Sequence, residues 1–343
     1  MRRKGWKQLD IILISGDAYI DHPSFGSVLI ARYLEYNGFK VGIISQPDWR
    51  NNRDFLKLGR PKLFFGITSG NMDSMVNHYT AQKKIRSSDA YSPGGKKGLR
   101  PNRATIVYTQ KVRSLFKGIP IVIGGLEASL RRLPHYDFQS DKLRNSILFD
   151  SKADLLVYGM GERTILKIAN DLQNGKSIQS LSAIKGTVIT SGNYEGGVRL
   201  PEYTKFFSKE QFIKMHKIFE DNYRENVIVQ KFGSRLLIHN PPAKPLSQNE
   251  MDRIYNLPFT RKPHPMYSGN EIPAFKQISN SVTSHRGCFG GCNFCSLAFH
   301  QGKTIQSRSA DSIKNEIAKI SKNKYFKGTI SDIGGPTANM FGM

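Results

Sequence analysis

The chain has 343 residues, 38% hydrophobic and 23% charged, which suits two soluble domains with sizeable cores. Its longest apolar runs, residues 11–14 and 119–123, fall far below the ~20 residues a bilayer requires, and the basic N-terminus leads into no apolar segment of secretory-leader length. Lys and Arg number 51 against 27 Asp and Glu, and the resulting net charge of +24 keeps a polyanion such as RNA in view as a partner.

Residues 9–15, LDIILIS, read as a continuous apolar strand. Val28, Leu29, Ala31, Tyr33, Leu34 and Tyr36 then recur at mostly helical spacing, which predicts a helix capped by Asp21 or Ser24 and ended by Gly38. Further strands are expected at 39–45 and 62–69. The segment 83–103 carries Lys83, Lys84, Arg86, Lys96, Lys97, Arg100 and Arg103 against one acid, Asp89, and is broken by Pro93-Gly94-Gly95. It reads as a long exposed loop, either phosphate-seeking or merely solvated. A helix over ATIVYTQKVRSLFKG leads into the strand IPIVIGG, and ADLLVYGMGERTILKIANDLQNG predicts strand, glycine turn and helix.

Apolar strands alternating with helices predict an α/β domain over residues 1–185, built on a doubly wound parallel sheet. Ligands of such sheets sit beyond the carboxyl ends of the strands. Three loops occupy that edge: SGDAYIDHPSFG, GGLEASLRR and GMGER. Asp17, Asp21 and His22 there serve either a site or ordinary turns and caps. GMGERT lacks the third glycine of a dinucleotide fingerprint. NGKS and QGKT have Asn170 and Leu297 where a P-loop needs its first glycine. Residues 186–275 contain short strand pieces and a proline-bearing run from His239 to Tyr267. They predict an irregular α+β connector packed across both neighbours.

All three cysteines, Cys288, Cys292 and Cys295, lie in one glycine-rich loop, SHRGCFGGCNFCSLAFHQG. The spacing C-x3-C-x2-C lets a single loop wrap three thiolates around a compact centre, with Gly287, Gly290 and Gly291 permitting the turns. A structural zinc site would recruit His285 or His300 as a fourth ligand. A disulfide would leave an odd thiol, and reduced thiols in a cluster point to the cytoplasm. Three unligated cysteines are a third reading. A [4Fe–4S] cluster held by three thiolates, one iron open to a small molecule, is a fourth.

Cys288-x3-Cys292-x2-Cys295, with Phe294 before the third cysteine, resembles the signature of radical S-adenosylmethionine (radical SAM) enzymes. LISGDAYIDHPSFG, GFKVGIISQPDW, ATIVYTQKVRSLFKGIPIVIGGLEASLRRLPHYDF, ADLLVYGMGERTILKIA and SHRGCFGGCNFCSLAFHQGKTIQSRS are together similar to the YgiQ-type radical SAM proteins, a group of unassigned reaction. The resemblance implies a Rossmann-like, cobalamin-binding-domain-like first domain. It implies that the three cysteines ligate a [4Fe–4S] cluster whose open iron chelates SAM, and that reductive cleavage releases a 5′-deoxyadenosyl radical. A flavodoxin or ferredoxin would supply the electron, and Arg286 and His285 would stand behind the cluster. Cobalamin is expected to be absent, because Asp21-His22-Pro23-Ser24-Phe25-Gly26 departs from the fingerprint D-x-H-x-x-G.

In this family a helix, a strand and a GGE follow the cluster loop. Here SADSIKNEIAKI and GTISDIGG fill those places, so Gly334 and Gly335 are expected to contact SAM through their backbone, with Pro336 standing where the acid would be. A full barrel has six strand–helix units, and the chain ends at Met343 inside the second. Residues 276–343 are therefore expected to form only the opening of a radical SAM barrel, and the chain to be a truncated form. The alternative is a non-catalytic module whose basic surface binds RNA or a protein.

Overall fold

The computed structural model describes residues 4–204, 207–292, 294–323, 326–335 and 339–343. In chain order the first half runs β1 (Ile11–Ser15), α1 (Gly26–Tyr36), β2 (Val41–Ser45), α2 (Arg53–Leu56), β3 (Phe64–Thr68), α3 (Ser74–His78), α4 (Ala104–Leu115), β4 (Ile121–Ile123) and α5 (Gly125–Leu130). A hairpin of β5 (His135–Asp137) and β6 (Lys142–Arg144) follows, then α6 (Ile147–Ser151), β7 (Leu155–Val157) and α7 (Glu162–Gln173).

Strands β2, β1, β3, β4 and β7 lie side by side in that order and all run parallel. Their side chains alternate between two cores. Ile12, Ile14, Phe65, Ile67, Ile121 and Ile123 meet Ala104, Tyr108 and Val112 of α4 on one face. Ile11, Leu13, Phe64 and Val122 meet Ala31 and Leu34 of α1 and Ile165 and Ile168 of α7 on the other. Burial on both faces accounts for the unbroken apolar strands. The sheet is doubly wound, and its strand order reverses between β1 and β3.

The cap expected for α1 is not made. Phe25 holds the N-cap position with no side-chain bond, because Asp21 is spent on Arg32 and on the backbone N–H of Thr260. Gly38 does follow the helix, at φ +92°.

The sheet does not stop at residue 185. β8 (Thr187–Ser191) pairs antiparallel with β7, and the hairpin β10 (Ile228–Phe232) and β11 (Arg235–His239) continues outward to β9 (Val198–Arg199). Among the described residues this makes nine strands, so a boundary at 185/186 would cut a hydrogen-bonded pair. The change of texture in the sequence marks where pairing turns antiparallel, from β7 through β8 and β11 to β10, with β9 alone added in parallel. α8 (Lys209–Asn222) covers the extension with Met215 and Phe219.

After His239 the chain packs back over α1 and the first edge loop. Leu246, Met251, Ile254 and Tyr255, in and around α9 (Gln248–Tyr255), pack on Leu29 of α1. Ile272 and Ala274, at the start of α10 (Pro273–Ile278), pack on Ala18, Ile20, Phe25 and Val28 beside the first edge loop. The last segment holds β12 (Ser281–Thr283), β13 (His285–Arg286), α11 (Leu297–Gln301), β14 (Gln306–Ser307), α12 (Ala310–Ser321) and β15 (Asp332–Gly334). β12 and β15 are parallel, with Val282 facing Ile313 and Ile320 of α12, while β13 and β14 pair antiparallel beside them. No helix among the described residues is long and apolar enough to cross a membrane.

Candidate functional site

The carboxyl edge of the sheet faces the cysteine segment across a cavity of about 640 Å³. Pro23–Ser27, Gly124–Leu126 and Gly159–Glu162 wall it on the sheet side, so all three loops singled out from the sequence converge there. Ser281–Thr283, His285, Arg286, Leu297, His300, Gln301, Gly334 and Gly335 wall it on the other side. This is the crevice that a doubly wound sheet opens where its strand order reverses.

The cysteine loop hangs between two lining elements, β13 before it and α11 after it. Gly287 opens the loop at φ +88°, where a Cβ would stand 2.1 Å from the carbonyl oxygen of Thr304; only glycine fits. The N–H of Cys288 donates to the carbonyl of Gly302 at 3.1 Å and that of Cys295 to the carbonyl of Cys292 at 3.0 Å. All three thiols are free, with Cys288 buried, Cys295 half-buried and Cys292 exposed. None of them lines the cavity itself. Among the described residues no three His, Cys, Asp or Glu side chains already converge to hold a metal ion. Asn293, inside the motif, lies outside the described residues.

The residues nevertheless fit a cluster held by three thiolates. The Cβ position of Gly290 lies 3.2 Å from Cys288 Sγ and 3.9 Å from Cys292 Sγ, so two sulfurs share one side of the turn. The N–H of Gly290 donates to Cys288 Sγ at 3.4 Å, the type of bond that tunes cluster thiolates. Phe294 is 93% exposed.

Gly334 and Gly335 sit at the cavity wall at the end of β15. The carbonyl of Gly334 accepts from the N–H of Ser284, and a Cβ on Gly335 would stand 2.2 Å from Nε2 of His285. That close approach explains glycine at 335. Pro336 lies outside the described residues. His285 is buried, its Nδ1 bonded to Ser284 Oγ at 2.9 Å and its Nε2 without a partner among the described residues. Arg286 is tied off instead. It pairs with Glu162 of the GMGE turn, and its Nε donates to Tyr255 Oη at 2.9 Å, all three being buried. Glu162 and Tyr255 are the site residues that sequence reasoning missed, and only the GMGE turn carried a signal for either.

Asp17, Asp21 and His22 are held by cations: Asp17 by Arg100 at 3.0 Å, Asp21 by Arg32, and His22 by Arg261 at 2.8 Å. They build the loop. The basic segment 83–103 is correspondingly less solvated than its composition suggests. Arg100 is fully buried between Asp17 and Asp89, and Arg103 pairs with Asp137, which leaves Lys83, Lys84, Arg86, Lys96 and Lys97 exposed.

Comparison with known proteins bears on the family. Residues 1–281 match the family described as Radical SAM N-terminal. The UPF0313 protein of Geobacter sulfurreducens is 50% identical over 99% of this chain, and that of Thermotoga petrophila is 51% identical over all of it. The chain belongs to the UPF0313 family of YgiQ-type radical SAM proteins. It spans 58% and 61% of those two relatives' lengths.

Two solved structures of the radical SAM methyltransferase TsrM from Kitasatospora setae are also similar to this UPF0313 chain. One, with tryptophan and a SAM analogue bound, is 14% identical at a TM-score of 0.47, over 91% of this chain and 45% of its own. The other, with cobalamin and a [4Fe–4S] cluster bound, is 12% identical at a TM-score of 0.49, over 96% of this chain and 47% of its own. The expectation against cobalamin is corrected here, since one of the matched structures holds it. The departure from D-x-H-x-x-G is a property of residues 21–26 alone.

Proposed function

We propose that this chain carries the cluster and SAM half of a radical SAM enzyme. Cys288, Cys292 and Cys295 ligate three irons of a [4Fe–4S] cluster, and the backbone of Gly334 and Gly335 receives SAM. In this reading β12, α12 and β15 are the opening strand–helix–strand unit of the catalytic barrel, and residues 276–343 belong to it. When bound and reduced, the cluster would supply one electron to the SAM sulfonium, whose C5′–S bond would break to give methionine and a 5′-deoxyadenosyl radical.

One observation carries the reading: three free thiols hang in a single glycine loop whose two flanking elements wall the cavity at the carboxyl edge of the sheet. The chain's own residues divide the work. Gly287 and Gly290 shape the loop, the N–H of Gly290 donates to Cys288 Sγ, the β12–β15 pair presents the two glycines, and Phe25, Leu126, Met160 and Leu297 give the space between an apolar wall. The substrate occupies that space in this proposal. A small reduced carrier such as flavodoxin or ferredoxin delivers the electron.

Air-free reconstitution with iron and sulfide tests the proposal. The chain should turn brown, hold about four irons and cleave SAM under reduction. Replacing any one of the three cysteines by alanine should abolish the colour. Colourless, iron-poor protein loaded with one tetrahedral zinc would overturn it.

A further inference from the structure

The helix that follows the third cysteine rests on a buried cation. Arg132, just beyond α5, is 1% exposed. Its Nε donates to Nε2 of His239 at 2.9 Å and its Nη1 to the carbonyl of Ser129 at 2.6 Å. An imidazole that accepts at Nε2 is neutral, and burial holds His239 well below the ordinary histidine range. Among the described residues Arg132 makes no ion pair, and the one carboxylate that acts on it, Glu220, does so from a distance. Burial pushes its guanidinium down to about 10, still charged at neutral pH.

Three rings enclose the charge instead. The guanidinium carbon lies 3.7 Å from the ring centre of Phe299, 4.7 Å from that of Tyr158 and 5.6 Å from that of Phe219. Phe299 belongs to α11, four residues past Cys295. The next residue, His300, reaches the same support: its Nδ1 is 2.9 Å from Ser129 Oγ, which also accepts from the N–H of Gly159. One arginine thus holds the cluster-side helix against two loops of the sheet edge. On stability grounds alone a hydrophobic residue would serve as well, because burying a charge without a carboxylate is costly.

We propose that Arg132 is a positioning residue of the cysteine loop: it clamps α11 through Phe299 and lends the cluster held there a nearby positive charge that raises its reduction potential. The electrostatic half rests on the cluster reading of the preceding subsection; the clamp does not. Reduction adds negative charge to the cluster, and a cation in a low-dielectric interior favours the state with more of it.

The test compares wild type with R132M, R132K and F299L. In iron-free protein, hydrogen exchange at residues 297–301 should quicken roughly tenfold in R132M and F299L, the loss expected for a desolvated cation–π contact. In reconstituted protein the potential should fall in R132M, stay near wild type in R132K, and stay near wild type in F299L, which keeps the charge. Unchanged exchange in folded R132M or F299L overturns the clamp, and if R132M does not fold, F299L decides the clamp and a lowered potential in R132K overturns the electrostatic role. An unchanged potential in R132M, or one in R132K lowered as far as in R132M, overturns the electrostatic role. Protein that takes up no cluster in any form sinks the preceding reading and the electrostatic half together, while the exchange result still decides the clamp.

Discussion

At the scale of single residues, Asp17 shows how a polar residue in an edge loop becomes structural. Burial pushes its carboxyl up to about 6, outweighing the pull of Arg100 and the backbone N–H of Asn71, while Asp89 adds repulsion. A carboxyl raised in the fold binds its proton more tightly there than in the unfolded chain. Its stabilising contribution is therefore full below about pH 4 and is lost as pH rises through about 6. D17N removes this titration. The change in unfolding free energy between pH 4 and pH 7 should shrink by up to about 3 kcal/mol relative to wild type. Urea denaturation across that range checks it, and parallel curves for the two proteins would sink the assignment. The three cysteines differ from Asp17 in legibility. Their donor type and spacing lie within one loop, whereas the cation that holds Asp17 stands 83 positions away at Arg100 and the carboxylate that repels it 72 away at Asp89.

At the scale of elements, periodicity read α1, α4 and α7, while α8 and α9 lie in the segment read only as an irregular α+β connector. α4 and α7 fall where the apolar spacing placed them. The cap of α1 failed because Asp21 is taken by Arg32 of the same helix and by the backbone N–H of Thr260, 239 positions away and invisible in local sequence. α9 shows the reverse. Ser247 and Glu250 form a reciprocal capping box, and Glu250 also pairs with Arg163 of α7, which holds its carboxyl down at about 2. Because α9 ends in Tyr255, whose hydroxyl accepts from Arg286, the cap supports the site as well as the helix. S247A should cost about 1 kcal/mol in chemical denaturation. A loss below a few tenths would show that tertiary packing alone holds α9.

At the scale of the whole molecule, one buried ion pair joins the two walls of the cavity. Glu162 opens α7 on the sheet side and Arg286 ends β13 on the cysteine side, 124 positions apart in sequence. Removing one partner leaves the other charged and buried, so R286M and E162Q should each cost about 3–5 kcal/mol. The double variant E162Q/R286M strands neither, and its cost should fall well short of the sum. Additive losses in that cycle would mean the two residues act independently and that something else seats the cysteine segment on the sheet.

The primary structure by itself determined the family and the parallel half of the fold. C-x3-C-x2-C is a local pattern, and buried strands alternating with amphipathic helices leave a periodic trace. It did not determine where the sheet ends. The strands from Thr187 to His239 are short and mixed in texture, and only antiparallel pairing with β7 makes them one body with the rest. Nor did it determine the company the cysteine loop keeps. The cavity, the Glu162–Arg286 pair and the support of α11 by Arg132 each join residues more than a hundred positions apart, and contacts at that separation are set by how the chain closes on itself.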